Sequence, residues 1–569
     1  MNKKTYLLVG VNAKYIHTSL SVRTLYAYVN DASLSWCEYT INEDAGGVCA
    51  DIYGRGAGVV LFSCYIWNIE FIIKTARRLK QVSPDTTIIF GGPEVSYSDE
   101  EYMERYDFID AVIRGEGEET LRRIVETGTL NHRGVTYRNG DNKIIYCPQR
   151  DVIDDLSSVP FPYTEEDIER NKDKLIYYES SRGCPFGCAY CLSSADKLLR
   201  FRSLELVFKE LDFFIEHNVK IVKFTDRTFN ADKKRACEII RFLISRKPET
   251  TFHFEAAADL ITPEMLTLLK TAPKGLFQLE IGVQSTNEKT LAAINRKADI
   301  KRIASVVREI GACGNIHTHL DLIAGLPYED YKSFKKSFND VFNMRPDVIQ
   351  LGFLKLLSGT EIKKEPAVYT SEPPYEVLKT PYISYAELMD LKRVEDIVEK
   401  YYNSAAFKRS VNELIGLFPS PFDFFDALAE FYAQNGLDRI GISRDSLYAI
   451  LLDFAGTLNA ESASGLSGTI KSKGTLNPGY FKELLLADYL ENNKPRTPSW
   501  AAREPVTKER FDILTENFIA KNLPEYAGMS AKEIIKRVHF ERFYYPERIM
   551  LFDNAGKRII EVKKENDNI

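Results

Sequence analysis

Cys184, Cys188 and Cys191 lie in the segment Glu179-Ser-Ser-Arg-Gly-Cys-Pro-Phe-Gly-Cys-Ala-Tyr-Cys-Leu192, at CxxxCxxC spacing. Three thiolates this close, in a loop carrying Gly183, Pro185 and Gly187, can wrap one small metal centre. Soft thiolates favour zinc or an iron–sulfur cluster. No fourth Cys or His stands nearby to complete a tetrahedral zinc site, so the pattern favours the cluster. Three ligands on a cubane leave one iron open to a substrate or cofactor. Tyr190, just before the third cysteine, adds an aromatic surface beside that position.

The elements that must hold this loop follow from the hydrophobic pattern. Leu175–Tyr178 reads as a strand running straight into it. Helix Leu204–His217 comes next, and then strands at Lys220–Thr225, Thr251–Glu255, Gly275–Val283, His317–Ile323 and Asp347–Phe353, with helices such as Pro263–Lys270 and Ile300–Ile310 between them. Strands alternating with helices build parallel sheets or barrels, with active groups at the strands' carboxyl ends. Those ends carry Asp226-Arg227, Glu255, Gln284-Ser285 and Ala324-Gly-Leu-Pro327.

Upstream, a second alternating series spans Tyr6–Gly10, Trp36–Ile41, Gly58–Ser63, Thr87–Phe90 and Asp110–Arg114, with helices Ile69–Lys80 and Glu118–Thr127. It predicts a doubly wound, Rossmann-like sheet that binds ligands at its strand ends. Three ends are unusual: Ser63-Cys-Tyr65, Gly91-Gly-Pro-Glu94 and Arg114-Gly-Glu-Gly-Glu118. Glycines there let backbone approach a bulky ligand.

The cysteine triad resembles that of the radical S-adenosylmethionine superfamily, and the three upstream strand ends resemble the cobalamin-binding domain that precedes many of its barrels. The resemblance implies a 4Fe–4S cluster on Cys184, Cys188 and Cys191. It places S-adenosylmethionine against Tyr190, Asp226, Glu255 and Gln284, with Arg227 as a further candidate. It places cobalamin against Ser63, Tyr65, Gly91, Gly92, Gly115, Glu116 and Gly117. Three departures stand out. The Asp-x-His-x-x-Gly signature of cobalt-ligating domains is missing, which makes His17, in the loop Asn12–Leu20, a lining residue rather than a ligand. Many relatives carry an arginine near Ala257, and Glu255–Asp259 has none. Tyr328 replaces the usual glycine after Gly-Leu-Pro.

The activity implied is methylation of an unactivated carbon on an unidentified small-molecule or peptide substrate, with electrons from a flavodoxin or ferredoxin. Cyclisation or rearrangement without methyl transfer stays open, as does a cobalamin sensor with no catalysis. A tRNA-modifying radical enzyme is the remaining alternative. Those of the methylthiotransferase kind carry a second cysteine-rich domain and a basic C-terminal barrel, and neither pattern occurs here.

The length of 569 residues suits several domains: 1–155 cobalamin-binding, 156–357 a partial (βα)6 TIM barrel, and 358–569 mostly helical. The last region resembles an uncharacterised C-terminal extension of one branch of these enzymes, expected to close the barrel mouth. Its helices are read at Tyr385–Tyr402, Val411–Leu417, Phe422–Gln434, Asp445–Phe454, Tyr480–Asn492, Lys508–Ala520 and Lys532–Phe540, with a loop at Gly465–Asn477 and a hairpin over Arg548–Val562. The opening apolar run is too short for a signal sequence and no stretch reaches membrane-spanning length, so the expected location is cytoplasmic. A net charge of −6, and 28 − 32 = −4 for Lys and Arg against Asp and Glu over 361–569, weigh against a nucleic-acid partner.

Overall fold

The computed structural model describes residues 4–195, 197–464, 476–493, 497–556 and 558–562. The first domain opens on β1 (Tyr6–Asn12), α1 (Leu20–Val29), β2 (Leu34–Thr40), α2 (Ala45–Gly54), β3 (Val59–Ser63) and α3 (Ile69–Val82). It continues through β4 (Thr87–Gly91), α4 (Asp99–Arg105), β5 (Ala111–Ile113), α5 (Glu118–Thr127), β6 (Val135–Arg138) and β7 (Ile144–Tyr146). The sheet order is β2-β1-β3-β4-β5-β6-β7. The first five strands are parallel, and the inner ones β1, β3 and β4 read as continuous apolar runs because both faces are covered, while the edge strand β2 is mixed. One face packs Ile52, Ile69, Ile72 and Leu79 of α2 and α3. The other packs Val22, Val29, Leu121 and Ile124 of α1 and α5. The two antiparallel strands β6 and β7 were not foreseen. Chain direction across the sheet reverses between β1 and β3, and such a switch point opens a ligand crevice at the carboxyl ends.

After α6 (Glu165–Asn171) come β8 (Leu175–Tyr178), β9 (Ser181–Arg182), β10 (Arg200–Phe201), α7 (Leu204–Glu216), β11 (Ile221–Phe224) and α8 (Lys233–Arg246). The series continues with β12 (Thr251–Glu255), α9 (Pro263–Thr271), β13 (Phe277–Gln284), α10 (Glu288–Ala293), α11 (Ile300–Cys313), β14 (His317–Ala324), α12 (Tyr331–Phe342) and β15 (Val348–Phe353). The six-stranded sheet runs β15-β14-β13-β12-β11-β8, in chain order, as successive βα units produce. Side chains alternate as a half-filled barrel requires. Val222, Phe224, Phe252 and Phe254 are fully buried under the helices. Their neighbours Lys223, His253 and Glu255 face the inner side with Glu280 and His319.

Two joints seat the first domain on this barrel. The guanidinium of Arg23 (2% exposed) meets both oxygens of Asp167 on α6 at 2.9 and 3.1 Å, and Glu38 at 2.8 Å. The loop after β1 runs beside β8: His17 forms a parallel bridge with Leu175, and Thr18 Oγ1 donates to the Leu175 carbonyl at 2.9 Å.

The chain divides into two compact units, Met1–Pro346 with Leu351–Leu388, and Asp347–Gln350 with Met389–Ile569. The second is helical over α13 (Tyr385–Val398), α14 (Lys408–Gly416), α15 (Pro421–Gln434), α16 (Arg444–Ser464), α17 (Pro478–Asn492) and α18 (Lys508–Leu514). Its core is aromatic, as the pattern implied: Phe422, Phe424, Phe425 and Tyr432 are buried. The helix expected over Lys532–Phe540 is a correction. It stops at Ile534, and Val538–Tyr544 is a strand pairing with Glu547–Asp553, which pairs in turn with Arg558–Val562. Val538-His-Phe-Glu-Arg-Phe-Tyr is rich in β-branched and aromatic residues, so strand propensity wins over the charged run before it. The loop expected at Gly465–Asn477 falls outside the described residues up to position 475.

Candidate functional site

The cysteine loop, residues 183–199, connects β9 to β10, which pair with Arg182 opposite Arg200. Cys184 and Cys188 are each 8% exposed and Cys191 is half-buried; all three are free thiols. Bonds to the barrel hold the loop's crown. Asn295 Nδ2 donates to the Gly187 carbonyl at 2.7 Å, Ala189 N donates to the Ile294 carbonyl at 2.9 Å, and Ile362 N donates to the Ala189 carbonyl at 2.9 Å. No single-ion site is formed: among the described residues no group of three His, Cys, Asp or Glu side chains stands where it could hold one metal ion.

Arg296, which the sequence reading did not single out, is the cation of this site. Its Nη1 lies 3.2 Å from the Tyr190 hydroxyl and 3.6 Å from Cys188 Sγ, and Nη2 donates to the Gly282 carbonyl. Nε has no partner. Burial works against its charge, but Tyr190 and Cys188 outweigh that and hold the guanidinium protonated. It follows α10, the short helix after Gln284. No local pattern marks it, because the fold brings it back to the loop.

Gln284 ends β13 in a left-handed backbone conformation, φ 70°, beside a register shift in the sheet. Such strain in a non-glycine residue clusters at functional sites. Its Oε1 is buried without a partner, as is Oδ1 of Asp321 on β14. Burial first, then the Glu280 and Glu255 carboxylates, push Asp321 up to about 8, so it is protonated at neutral pH. Burial also raises Glu255. Glu280 is opposite in behaviour. It lies 3.1 Å from His253 Nε2 and accepts from Lys223 Nζ at 2.8 Å, and these neighbours draw it down to about 2. The mouth thus offers unused acceptors, a neutral carboxyl and one fixed cation.

Asp226 stands just past the end of β11. It is 1% exposed, and its oxygens accept from Ser180 N at 2.8 Å, Ser180 Oγ at 2.6 Å and Ser181 Oγ at 2.6 Å. Its carboxylate anchors the strand entering the cysteine loop and has little left for a ligand.

In the first domain, Gly92 (φ 107°) approaches the β3 end so closely that an added Cβ would lie 2.5 Å from the Cys64 carbonyl oxygen. Ser63 Oγ lies 2.8 Å from Ser21 Oγ, and Tyr65 stacks on Trp67 with centroids 4.3 Å apart. Gly115 has φ 69° and its N–H donates to Ser96 Oγ at 3.2 Å, while Gly117 caps α5. Gly91, Gly92, Ser63, Tyr65, Gly115 and Gly117 therefore belong to three neighbouring strand ends at or beside the switch point. The Glu116 carboxylate turns away to Arg182 (3.3 Å), Arg200 (2.7 Å) and Ile153 N (2.7 Å). His17 Nδ1 lies 2.8 Å from the Tyr177 hydroxyl.

A strap ties these two halves. Residues 354–379 bond the cysteine loop through Ile362, and the Tyr375 hydroxyl lies 2.7 Å from Glu94, two residues past Gly92. Tyr102 shares that carboxylate at 2.8 Å.

Comparison with known proteins agrees with this division. Residues 6–125 match the family described as B12 binding domain, 178–341 the Radical SAM superfamily, and 366–558 a protein family of unknown function, DUF4080. The 2-(S-pantetheinyl)-carbapenam-3-carboxylate methyltransferase of Streptantibioticus cattleyicolor is 28% identical over 306 residues, covering 49% of this chain and 44% of that protein. An anaerobic magnesium-protoporphyrin IX monomethyl ester cyclase of Rubrivivax gelatinosus is 23% identical over 296 residues, 48% of this chain and 52% of its own. The chain thus spans about half the length of these curated relatives. Among solved structures, the cobalamin-dependent S-adenosylmethionine radical enzyme OxsB, with aqua-cobalamin and S-adenosylmethionine bound, superposes with TM-score 0.57 at 14% identity, over 88% of this chain and 85% of that one. A match to the B12 binding domain thus covers the first sheet and a match to the Radical SAM superfamily covers the barrel behind it.

Proposed function

We propose that the protein is a cobalamin-dependent radical S-adenosylmethionine methyltransferase acting on an unactivated carbon. The observation that carries this reading is the presence, in one unit, of a thiol triad beside an unsatisfied polar mouth and a glycine-built crevice. The residues fit the groups. Three free, poorly exposed thiols suit three irons of a 4Fe–4S cluster. The vacant Oε1 of Gln284 and Oδ1 of Asp321, with the Arg296 guanidinium, suit the ammonium, hydroxyl and carboxylate groups of S-adenosylmethionine. The Gly92 approach suits a flat, bulky cofactor.

When bound, the cluster and S-adenosylmethionine supply a carbon-centred radical and cobalamin supplies a transferable methyl group, and this chemistry belongs to the cofactors. The protein's share is binding and placement. Cys184, Cys188 and Cys191 hold the cluster, with Arg296 beside Cys188 to offset thiolate charge. Protonated Asp321 donates a hydrogen bond without adding negative charge at neutral pH. Glu280, held ionised by His253 and Lys223, fixes the inner face below it. Glu255 and Tyr190 border the same mouth. The substrate is a small molecule or peptide and the electron donor a small redox protein. No helix among the described residues is long and apolar enough to cross a membrane.

The similarity to the protoporphyrin ester cyclase favours a second reading, radical cyclisation without methyl transfer. One experiment separates the two. Anaerobically reconstituted protein with reductant, S-adenosylmethionine, cobalamin and a cell extract that supplies the acceptor substrate yields both 5′-deoxyadenosine and S-adenosylhomocysteine if it is a methylase. A cyclase yields 5′-deoxyadenosine alone.

A further inference from the structure

The stem of the cysteine loop is too short to hold itself. β9 and β10 are two residues each, and their paired positions are Arg182 and Arg200, like charges face to face. The compensation comes from the other domain. Arg200 Nη1 lies 2.7 Å from Glu116 Oε1, and Arg182 Nη1 lies 3.3 Å from the same atom. Arg182 Nη2 meets Glu118 at 2.8 Å, and Glu179, at the end of β8, closes the set at 2.8 Å. The side chains of Arg200, Glu118, Glu116 and Arg182 are 4%, 7%, 16% and 18% exposed, so little water screens them. Glu116 and Glu118 belong to the turn Gly115–Glu118, whose glycines stand at the crevice. One turn therefore gives its glycines to the crevice and its carboxylates to the cysteine loop.

We propose that Glu116 and Glu118, gripping Arg182 and Arg200, form a clasp that sets the position of the cysteine loop relative to the cobalamin crevice. This rests on the cofactor reading above. The four are positioning residues: they act through the loop and the turn, which carry the cofactors. Separate ties keep the two domains joined without the clasp. Arg23 still holds Asp167 and Thr18 still holds Leu175, while within the barrel Asp226 still holds Ser180 and Ser181. Loss of the clasp is thus expected to free the loop's stem while leaving the fold and the loop's crown in place.

The test compares wild type, the double variant Glu116→Gln/Glu118→Gln, and Arg182→Lys, which keeps the charge but loses the fork. In reduced holoenzyme, pulsed electron paramagnetic resonance reads the dipolar coupling between the cluster and cob(II)alamin. The expected result is one narrow distance in wild type. The double variant should show a broadened distribution at unchanged iron and cobalt content, and Arg182→Lys should fall between. In cofactor-free protein, hydrogen exchange of the stem amides 181–183 and 200–202 should quicken by about tenfold or more in the double variant, with the crown amide of Ala189 and helix 204–216 unchanged. An unaltered distance distribution together with unaltered exchange overturns the clasp. Loss of cobalt with normal exchange overturns it too, because the carboxylates would then belong to the crevice. If wild type takes up neither iron nor cobalt, the cofactor reading fails, and the exchange arm still decides whether the clasp exists.

Discussion

Replacing Gly92 by alanine should expel cobalamin while leaving the iron–sulfur cluster in place. The added Cβ would stand 2.5 Å from the Cys64 carbonyl oxygen, 3.1 Å from its nitrogen and 3.3 Å from its carbonyl carbon. All three are backbone atoms and cannot swing aside. Reaching the 3.4 Å of ordinary contact requires a retreat of 3.4 − 2.5 = 0.9 Å at the oxygen. That oxygen accepts from Glu94 N at 3.3 Å, and Cys64 N donates to the Gly91 carbonyl at 2.7 Å, so the retreat loosens both bonds. Each contributes about 1 kcal/mol. Forcing alanine to φ 107° adds roughly 1–3 kcal/mol. The local cost is therefore roughly 3–5 kcal/mol, concentrated where two strand ends must meet a ligand.

Gly115→Ala is the control. It also sits at positive φ, but its Cβ meets only the flexible Nε2 of Gln149, at 2.9 Å. It should cost about 1 kcal/mol. The assay is cobalt and iron stoichiometry after anaerobic reconstitution, with cobalamin read by its absorbance. Gly92→Ala is expected to lose most cobalt and keep its iron, and Gly115→Ala to keep most of both. Full cobalamin uptake by Gly92→Ala, with an unchanged unfolding midpoint, would refute the reasoning.

Arg296→Met should weaken S-adenosylmethionine binding roughly 10- to 100-fold, the worth of a charged hydrogen bond, without lowering iron content; equilibrium dialysis measures it. Asp321 keeps its proton up to about 8 in the folded protein but loses it near 3.9 when unfolded. Its contribution to stability is full below about 4 and is lost as pH rises towards 8. Asp321→Asn should therefore gain on wild type between pH 5 and about 9 in thermal unfolding midpoints; parallel curves would contradict the assignment. Arg23→Met would leave Asp167 and Glu38 facing each other with little water, costing roughly 3 kcal/mol and loosening the joint between the first domain and the barrel, read by limited proteolysis.

Much of this was legible from residue types. The parallel strands β1, β3 and β4 are unbroken apolar runs, and the cysteine spacing marked its loop without help from the fold. What stayed hidden depends on contacts distant in sequence. Arg296 reaches Cys188 across 108 positions, and nothing near it announces the role. That Asp226 bonds Ser180 and Ser181 before the cysteine loop could not be read from its place at a strand end, because the contacts span 45 and 46 positions. Glu116 looked like part of the crevice because its glycine neighbours are, while its side chain crosses to the other domain. The strand Val538–Tyr544 was misread as helix because the charged residues before it continue a helical pattern for one turn.

The most direct test of the central claim is label transfer. Reconstituted protein, reductant, cobalamin and S-adenosylmethionine carrying a deuterated methyl group are incubated with metabolite and peptide extracts from cells lacking the protein. The account predicts one species in which a carbon-bound hydrogen is replaced by the intact labelled methyl. It should be absent when cobalamin is withheld or when Cys184, Cys188 and Cys191 are replaced together by alanine. Labelled product formed without cobalamin, or 5′-deoxyadenosine formed with a modified species that carries no label, would contradict it.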